Sequence, residues 1–185
     1  MKHARHLLLM ATLLLSCLSV SAHDFVMGGI YYKITSSTDL TVAVTCRGDY
    51  PNDYSDEYTG TVTIPEFVTY NYKTYRVTSI GDAAFQWCSN VTSINIPASV
   101  TSIGVNAFTG TSWYSNQPNG MIYVGNVLYG YKGEMPANTS IEVKDGTVGI
   151  GSYVFDGVRD RLVSITIPES VTLIGNGAFS YCEEF

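Results

Sequence analysis

The sequence predicts a β-rich solenoid with a β-rich segment before the repeats and a β-hairpin inserted among them. Its 185 residues include 14 Tyr and 17 Gly but only 14% charged residues, a composition that favours strands over helices. A motif with Ile-Gly and Phe at fixed spacing occurs four times, and a second motif of alternating apolar residues occurs between its copies. One coil of this size is too small to bury its own apolar residues, so the copies are expected to stack.

The first 22 residues have the layout of a secretory signal peptide. Lys2 and Arg5 precede an apolar run from Leu7 to Leu15, and Val20–Ala22 supplies small residues for cleavage. The run is too short to span a bilayer, and no later segment is long or apolar enough. We therefore expect cleavage near Ala22 and a mature chain that is secreted or held at the cell surface.

A lipoprotein signal is the alternative interpretation of the same segment. Leu14–Cys17 resembles a lipoprotein box in which Cys17 would become the lipidated terminus. The large Leu15 before Ser16 weakens this alternative.

Residues 23–76 predict a β-rich cap in front of the repeats. Gly28–Ile34 and Leu40–Thr45 alternate like strands, and Thr69–Arg76 reads as a hairpin with Asn71 at its turn. Such a cap would shield the open edge of the first coil.

Residues 77–185 carry the repeats. The isoleucines of the Ile-Gly pairs are separated by 23, 47 and 24 residues, and the phenylalanines follow with the same steps. The middle step equals two coils, one of them disguised. The four isoleucines and four phenylalanines are expected to form buried ladders along the axis: Ile80, Ile103, Ile150 and Ile174, with Phe85, Phe108, Phe155 and Phe179.

The second motif predicts a short strand in each coil. Ser93–Pro97 reads SINIP, Ser140–Lys144 reads SIEVK and Ser164–Pro168 reads SITIP, and Thr61–Pro65 (TVTIP) is an earlier copy. The period of two places Asn95, Glu142 and Thr166 on the outer face.

An insertion at residues 109–139 accounts for the disguised coil. Within it, Met121–Val124 and Val127–Tyr131 flank Gly125-Asn126, a two-residue hairpin signal. Its aromatic residues are the candidate ligand-binding residues, since exposed Tyr and Trp make good recognition anchors: Trp113, Tyr114, Tyr123, Tyr129 and Tyr131. The same rings also suit packing of the hairpin on the repeats, and the sequence favours that role.

The repeats resemble the BspA-like leucine-rich repeats of secreted bacterial surface proteins, written L-x-x-I-x-I-P-x-x-V-x-x-I-G-x-x-A-F-x-x-C. Phe85–Cys88 and Phe179–Cys182 match the A-F-x-x-C part, whereas Thr111 and Val158 replace Cys in the other coils. The insertion, with Thr111–Tyr114 (TSWY), is similar to one in Bacteroidetes members. The resemblance implies a leucine-rich-repeat solenoid at the cell surface, and some members are adhesins for host matrix proteins.

The repeats are expected to be incomplete at the C-terminus. The chain stops at Glu183–Phe185, before the next strand would form, which is typical of a truncated reading frame or a fragment. Alternatively, the exposed last coil would associate with a second copy.

Catalytic, cofactor and metal sites are not expected. After signal cleavage the only histidine is the terminal His23, so triad chemistry is disfavoured. Cys46, Cys88 and Cys182 lie too far apart in sequence for a zinc motif, and Cys88 and Cys182 are expected to remain free thiols. The formal charge of −6 disfavours nucleic acid as a partner.

An acidic loop leaves calcium open as a minor alternative. It contains Asp49, Asp53, Asp56 and Glu57, interleaved with tyrosines, but its spacing does not match an EF-hand. A solvated loop is the favoured interpretation.

The resemblance implies a binding protein with a host matrix protein or another cell-surface protein as its partner, and the scarcity of catalytic motifs agrees with a noncatalytic function. A structural or display module without a ligand of its own is the alternative.

Overall fold

The computed structural model describes residues 22–48, 56–158 and 161–182. These residues form 14 strands and one short helix: β1 (Phe25–Met27), β2 (Ile30–Ser36), β3 (Thr41–Thr45), β4 (Gly60–Thr63), β5 (Phe67–Tyr70), β6 (Lys73–Ile80), β7 (Val91–Asn95), β8 (Ser102–Ile103), α1 (Ser112–Ser115), β9 (Gly120–Val124), β10 (Val127–Lys132), β11 (Thr139–Glu142), β12 (Gly149–Ile150), β13 (Leu162–Thr166) and β14 (Leu173–Ile174). The signal segment with Cys17, the loop residues Asp49, Tyr50, Asp53 and Tyr54, and the terminal Glu183–Phe185 lie outside the described residues.

The N-terminal strands form one sheet with the first repeat strands. Its order is β1-β2-β3-β6-β5, and β8 also pairs with β6. Strand β3 runs parallel to β6, with Val44 opposite Ile80. Tyr32, Val42 and Val44 are fully buried in this sheet. The segment before the repeats therefore shares its hydrophobic core with them.

Both predicted hairpins are confirmed. Strands β5 and β6 pair antiparallel, and the turn residues Asn71 and Tyr72 have φ of 47° and 61°. Strands β9 and β10 also pair antiparallel, and Gly125 at their turn has φ of 58°. Positive φ at the turn matches the right-handed twist of the paired strands, which explains the two-residue turns.

The repeat strands pair in parallel from coil to coil. The alternating motif forms β4–β7 and β11–β13, whereas the Ile-Gly motif forms β6–β8 and β10–β12–β14. Asn95, Glu142 and Thr166 face solvent. The structure also supplies the rung missing from the sequence pattern, because Leu128 of β10 lies opposite Ile150. Leu128 therefore belongs to the disguised coil.

Burial of the ladder residues decreases towards the last coil. Ile80, Ile103 and Ile150 are buried, whereas Ile174 is 48% exposed although it pairs in register with Ile150. No described strand covers the other side of β14. The phenylalanines stack in two pairs, with centroids 5.5 Å apart for Phe85–Phe108 and 5.4 Å for Phe155–Phe179. Phe179 is only half-buried.

Candidate functional site: a tyrosine-lined cleft between two repeat turns

A turn with a fixed backbone conformation follows each Ile-Gly pair. The third residue after each Ile has positive φ: Ala83, Asn106, Tyr153 and Gly177, at 53° to 63°. The seventh residue repeats this conformation: Trp87, Gly110, Gly157 and Tyr181. The two left-handed residues bend the chain around the buried Phe and give every coil the same outline.

Consecutive turns are joined by backbone hydrogen bonds. The N–H groups of Ala83, Phe85 and Trp87 each donate to the next coil over 2.8 Å, to the carbonyls of Val105, Ala107 and Thr109. Between the last two coils the N–H of Tyr153 donates to Asn176 over 3.1 Å in the same way. Each turn is thus a layer that needs a neighbour on both sides.

The insertion removes one of these layers. Strand β10 continues the Ile ladder through Leu128, and Gly151 donates to the Leu128 carbonyl over 2.8 Å as Gly104 does to Ile80. After Leu128, however, the chain runs straight on along the hairpin with β9 and forms no Ala-Phe turn. The turns around Phe108 and Phe155 therefore face each other across a gap.

This gap is a cleft of about 160 Å³. One wall is the turn of residues 104–109, the other is the turn of residues 152–154, and residues 129–131 of β10 form the floor. Tyr114, Tyr129, Tyr131 and Tyr153 supply its aromatic surface, and Asn106 and Ser152 supply polar groups. Among the described residues, none that lines the cleft is charged.

Tyr129 replaces part of the missing layer. Its hydroxyl accepts a hydrogen bond from the Phe108 N–H at 3.2 Å, where a neighbouring coil would have offered a carbonyl. Its ring meets the Phe108 ring edge to face, with centroids 5.1 Å apart. Burial raises the pKa of Tyr129 and of Tyr114, so both hydroxyls remain neutral.

Helix α1 positions the other aromatic residues of the insertion. The Thr111 hydroxyl caps the helix by accepting from the Tyr114 N–H at 3.0 Å. Trp113 packs edge-on against Phe108 at 5.0 Å, and Tyr114 packs against Tyr129 at 5.9 Å. At the other end of the helix, the ammonium of Lys132 donates to the carbonyls of Tyr114, Ser115 and Gln117. This cationic cap ties the helix to β10.

The structure brings three of the five candidate aromatic residues to the cleft. Tyr114, Tyr129 and Tyr131 line it, whereas Trp113 packs against Phe108 and Tyr123 lies elsewhere. The Tyr123 hydroxyl accepts from the Lys144 N–H at 3.0 Å.

The sequence reasoning missed the second wall of the cleft. Ser152 and Tyr153 of that wall, and Asn106 of the first wall, were not singled out as candidate residues, yet all three line the cleft. The signal that would have found them is the 47-residue step between Phe108 and Phe155, because a step of two coils without its own Phe indicates a missing turn.

The described part of the acidic loop forms hydrogen bonds within the protein. Asp56 accepts from the Ser89 hydroxyl at 2.8 Å, and Glu57 accepts from the Arg47 N–H at 3.1 Å. Burial raises the pKa of Glu57, whereas the hydrogen bond from the Arg47 N–H and the positive charge of Arg47 act to lower it. Within residues 22–48, 56–158 and 161–182, no cluster of His, Cys, Asp and Glu could hold a metal ion, and no disulfide joins Cys46, Cys88 or Cys182.

The comparison with protein families identifies the repeats. Residues 66–185 match the BspA type leucine rich repeat region in six copies. The chain belongs to this family. In the described residues of this BspA-type protein, no helix is long and apolar enough to span a membrane.

Three solved structures are similar to the chain. A leucine-rich repeat protein from Bacteroides ovatus ATCC 8483 is 29% identical over 88% of this chain and 40% of that one, with a TM-score of 0.41. A leucine rich cell surface protein from Faecalibacterium prausnitzii A2-165 is 17% identical over 85% and 52%, with a TM-score of 0.38. A T. pallidum leucine rich repeat protein is 18% identical over 87% and 68%, with a TM-score of 0.36. No curated protein matches significantly.

Proposed function

We propose that this BspA-type repeat protein is a noncatalytic binding protein of the cell surface, and that the cleft beside Tyr131 and Tyr153 is its binding site. The observation that carries the proposal is the cleft itself. It combines aromatic faces with neutral polar groups and has no charged residue in its lining. Such a lining suits recognition and offers no nucleophile–base pair for catalysis.

The family supports the same function. BspA-type repeat proteins are surface proteins that often bind other molecules, and the repeat is generally noncatalytic. The proposed architecture is a signal peptide at residues 1–22, a β-rich cap at 23–76 and a repeat solenoid at 77–185 with the insertion at 109–139. The proposed partner is a host matrix protein or another cell-surface protein, bound by a secreted or surface-held chain.

Binding of the purified full-length chain to immobilised fibrinogen and fibronectin tests the proposal. Saturable binding that persists at physiological salt and weakens in Tyr153→Ala would support it. Tyr181→Ala is the matched control, because Tyr181 is also exposed, has nearly the same φ and lies outside the cleft lining. Trp113→Ala is unsuitable as a test, since Trp113 packs against the buried Phe108 ring. A folded, monodisperse protein that binds neither ligand would contradict an adhesin function.

Self-association is the second candidate function, favoured by the exposed last coil. Leu173 and Ile174 of β14 and Val163 of β13 are largely exposed apolar residues at a strand edge. Light scattering over a concentration series would detect it. Dimers that revert to monomers in Ile174→Lys, together with no ligand binding, would favour a structural module over an adhesin.

A further inference from the structure

The two walls of the cleft carry complementary backbone groups that have no hydrogen-bond partner among the described residues. In the turns followed by an adjacent turn, the N–H of the third residue after Ile donates to the next coil, as Ala83 does to Val105 and Tyr153 does to Asn176. Asn106 occupies that position in front of the gap, and its N–H makes no hydrogen bond with any described residue. One wall therefore presents a free backbone donor.

The opposite wall presents free acceptors. Val105 and Asn176, at the second position after Ile, accept hydrogen bonds from the preceding coil. Ser152 holds the same position behind the gap, and its carbonyl receives no hydrogen bond from the part of the chain that the structure describes. The carbonyl of Val154 is likewise without a donor among these residues, although its counterpart Ala107 accepts from Phe85.

We propose that the cleft binds a short uncharged peptide segment, whose carbonyl accepts from the Asn106 N–H and whose N–H groups donate to the carbonyls of Ser152 and Val154. The inference rests on the proposed function, because it names the class of ligand that the same cleft takes. The segment occupies the place of the missing turn and pairs with a coil on each side. As in strand addition, main-chain hydrogen bonds hold the ligand, but here the segment completes a layer of turns and not a sheet.

A peptide fits these walls better than other neutral ligands. Every peptide residue carries one N–H and one C=O, and in the conformation of these turns the N–H groups face one neighbouring coil and the C=O groups face the other, as in residues 83–87 and 105–109. A sugar offers hydroxyl groups without this polarity, and an N-acetyl sugar supplies a single N–H and C=O pair. The neutral lining, which includes Tyr131 and Tyr153, favours a segment without charged side chains.

Gly130 provides a way to close the cleft. It lines the floor, its φ is not positive, and a Cβ there would meet only the Tyr114 hydroxyl, at 3.9 Å. A leucine at this position is therefore tolerated by the backbone and projects into the open space that the ligand would fill.

The test is titration of the full-length chain with the blocked peptide of residues 104–109, which is the sequence of a turn like the missing one. We expect saturable binding, a shift of the Asn106 amide resonance, and affinity at least about tenfold weaker in Gly130→Leu. The same peptide methylated on its backbone nitrogens should lose affinity by a similar factor, because it has the same side chains but no donors for Ser152 and Val154. Tyr153→Ala should also weaken binding, whereas Tyr181→Ala should not.

Several outcomes would overturn the inference. The first is a peptide that does not bind saturably, and the second is a methylated peptide that binds as tightly as the unmethylated one. The third is a folded Gly130→Leu variant that binds the peptide as tightly as the unsubstituted protein, and the fourth is N-acetylglucosamine that binds in the cleft when the peptide does not. If Gly130→Leu does not fold, Tyr153→Ala and the methylated peptide decide the question. No peptide binding, with fibronectin binding that persists in Gly130→Leu, would reject both the peptide ligand and the cleft as the binding site but leave the noncatalytic surface-binding function standing, so the two failures are distinguishable.

Discussion

The hydroxyl of Tyr129 accepts the Phe108 N–H at 3.2 Å, and the two rings meet edge to face 5.1 Å apart. Elsewhere in the repeats, a backbone carbonyl of the next coil accepts the N–H at this position. One side chain of the hairpin thus makes the hydrogen bond that a whole turn makes in the other coils, and it keeps the Phe108 turn folded beside an open cleft.

Tyr129→Phe removes this hydrogen bond together with the one between the same hydroxyl and the Thr109 side chain. The ring stays, but a part-buried N–H loses its acceptor, so we expect the free energy of unfolding to fall by about 1–3 kcal/mol. Tyr131→Phe, a change of the same size in the same strand, should alter it by less than about 0.5 kcal/mol, because the Tyr131 hydroxyl makes no hydrogen bond with the described residues. Urea unfolding of the three proteins gives the comparison. Equal losses in both variants would show that the Phe108 N–H does not depend on Tyr129.

Alanine substitutions of Gly110 and Gly157, which both hold the seventh position after Ile, should destabilise the protein to different extents. A Cβ on Gly110 would lie 2.4 Å from Trp87 Cε3 and 3.1 Å from its Cα, whereas one on Gly157 meets nothing within 4 Å. Both have positive φ, 81° and 75°, so both alanine variants carry a backbone cost of about 1–2 kcal/mol. Only Gly110→Ala adds the clash with the preceding coil, which costs about 1–3 kcal/mol more.

Trp87→Ala in the same background separates the two terms. It should rescue most of the extra loss in Gly110→Ala, because it removes the ring that clashes, and should do nothing for Gly157→Ala. Thermal unfolding of the single and double variants measures the coupling. Equal destabilisation by both glycine substitutions would contradict the assignment of Gly157 to the turn that follows the gap.

The sequence was sufficient for the strands and hairpins because each depends on local chemistry. Alternating apolar residues predicted β7, β11 and β13, and Gly125-Asn126 predicted the turn of the β9–β10 hairpin. The sequence motif did not identify Leu128 as a member of the Ile ladder. The insertion keeps an apolar residue at this position but has Tyr129 where the motif has Gly. No period could reveal it; only the pairing of Leu128 with Ile150 does.

In the sequence, only the 47-residue step between Phe108 and Phe155 marks the cleft. It arises from a turn that is absent, and its walls are conventional repeat residues whose usual partners are missing. The five aromatic candidates pointed to the right insertion, but composition could not distinguish Trp113, which packs on Phe108, from Tyr131, which lines the cleft.

Two buried tyrosines predict opposite effects of the same substitution. The Tyr58 hydroxyl donates to the Thr45 carbonyl at 2.7 Å and accepts from the Tyr31 N–H at 3.1 Å, so Tyr58→Phe should cost about 1–3 kcal/mol. The Tyr32 hydroxyl is fully buried and makes no hydrogen bond with any described residue. Tyr32→Phe should therefore be neutral or raise the free energy of unfolding by about 1 kcal/mol. Urea midpoints of the two variants test this, and a large loss in Tyr32→Phe would indicate a buried water on that hydroxyl.

The same tyrosines predict a loss of stability at alkaline pH. Burial raises the pKa of Tyr32 to about 12, and burial raises the pKa of Tyr58 as well. Between pH 10 and these raised values the unfolded chain releases the phenolic protons while the folded chain keeps them, so each tyrosine lowers the free energy of unfolding by about 1.4 kcal/mol per pH unit. The contribution of each tyrosine to the free energy of unfolding is fully present below pH 10, the ordinary pKa of tyrosine.

Unfolding measured from pH 8 to pH 11.5 should be flat at first and then fall steeply. In Tyr32→Phe the free energy of unfolding should fall less steeply with pH, because unfolding then releases one phenolic proton fewer. A slope that is the same with and without the Tyr32 hydroxyl would show that this group ionises in the folded protein as readily as in the unfolded chain. That result would contradict its burial between the N-terminal strands and the first repeat coil.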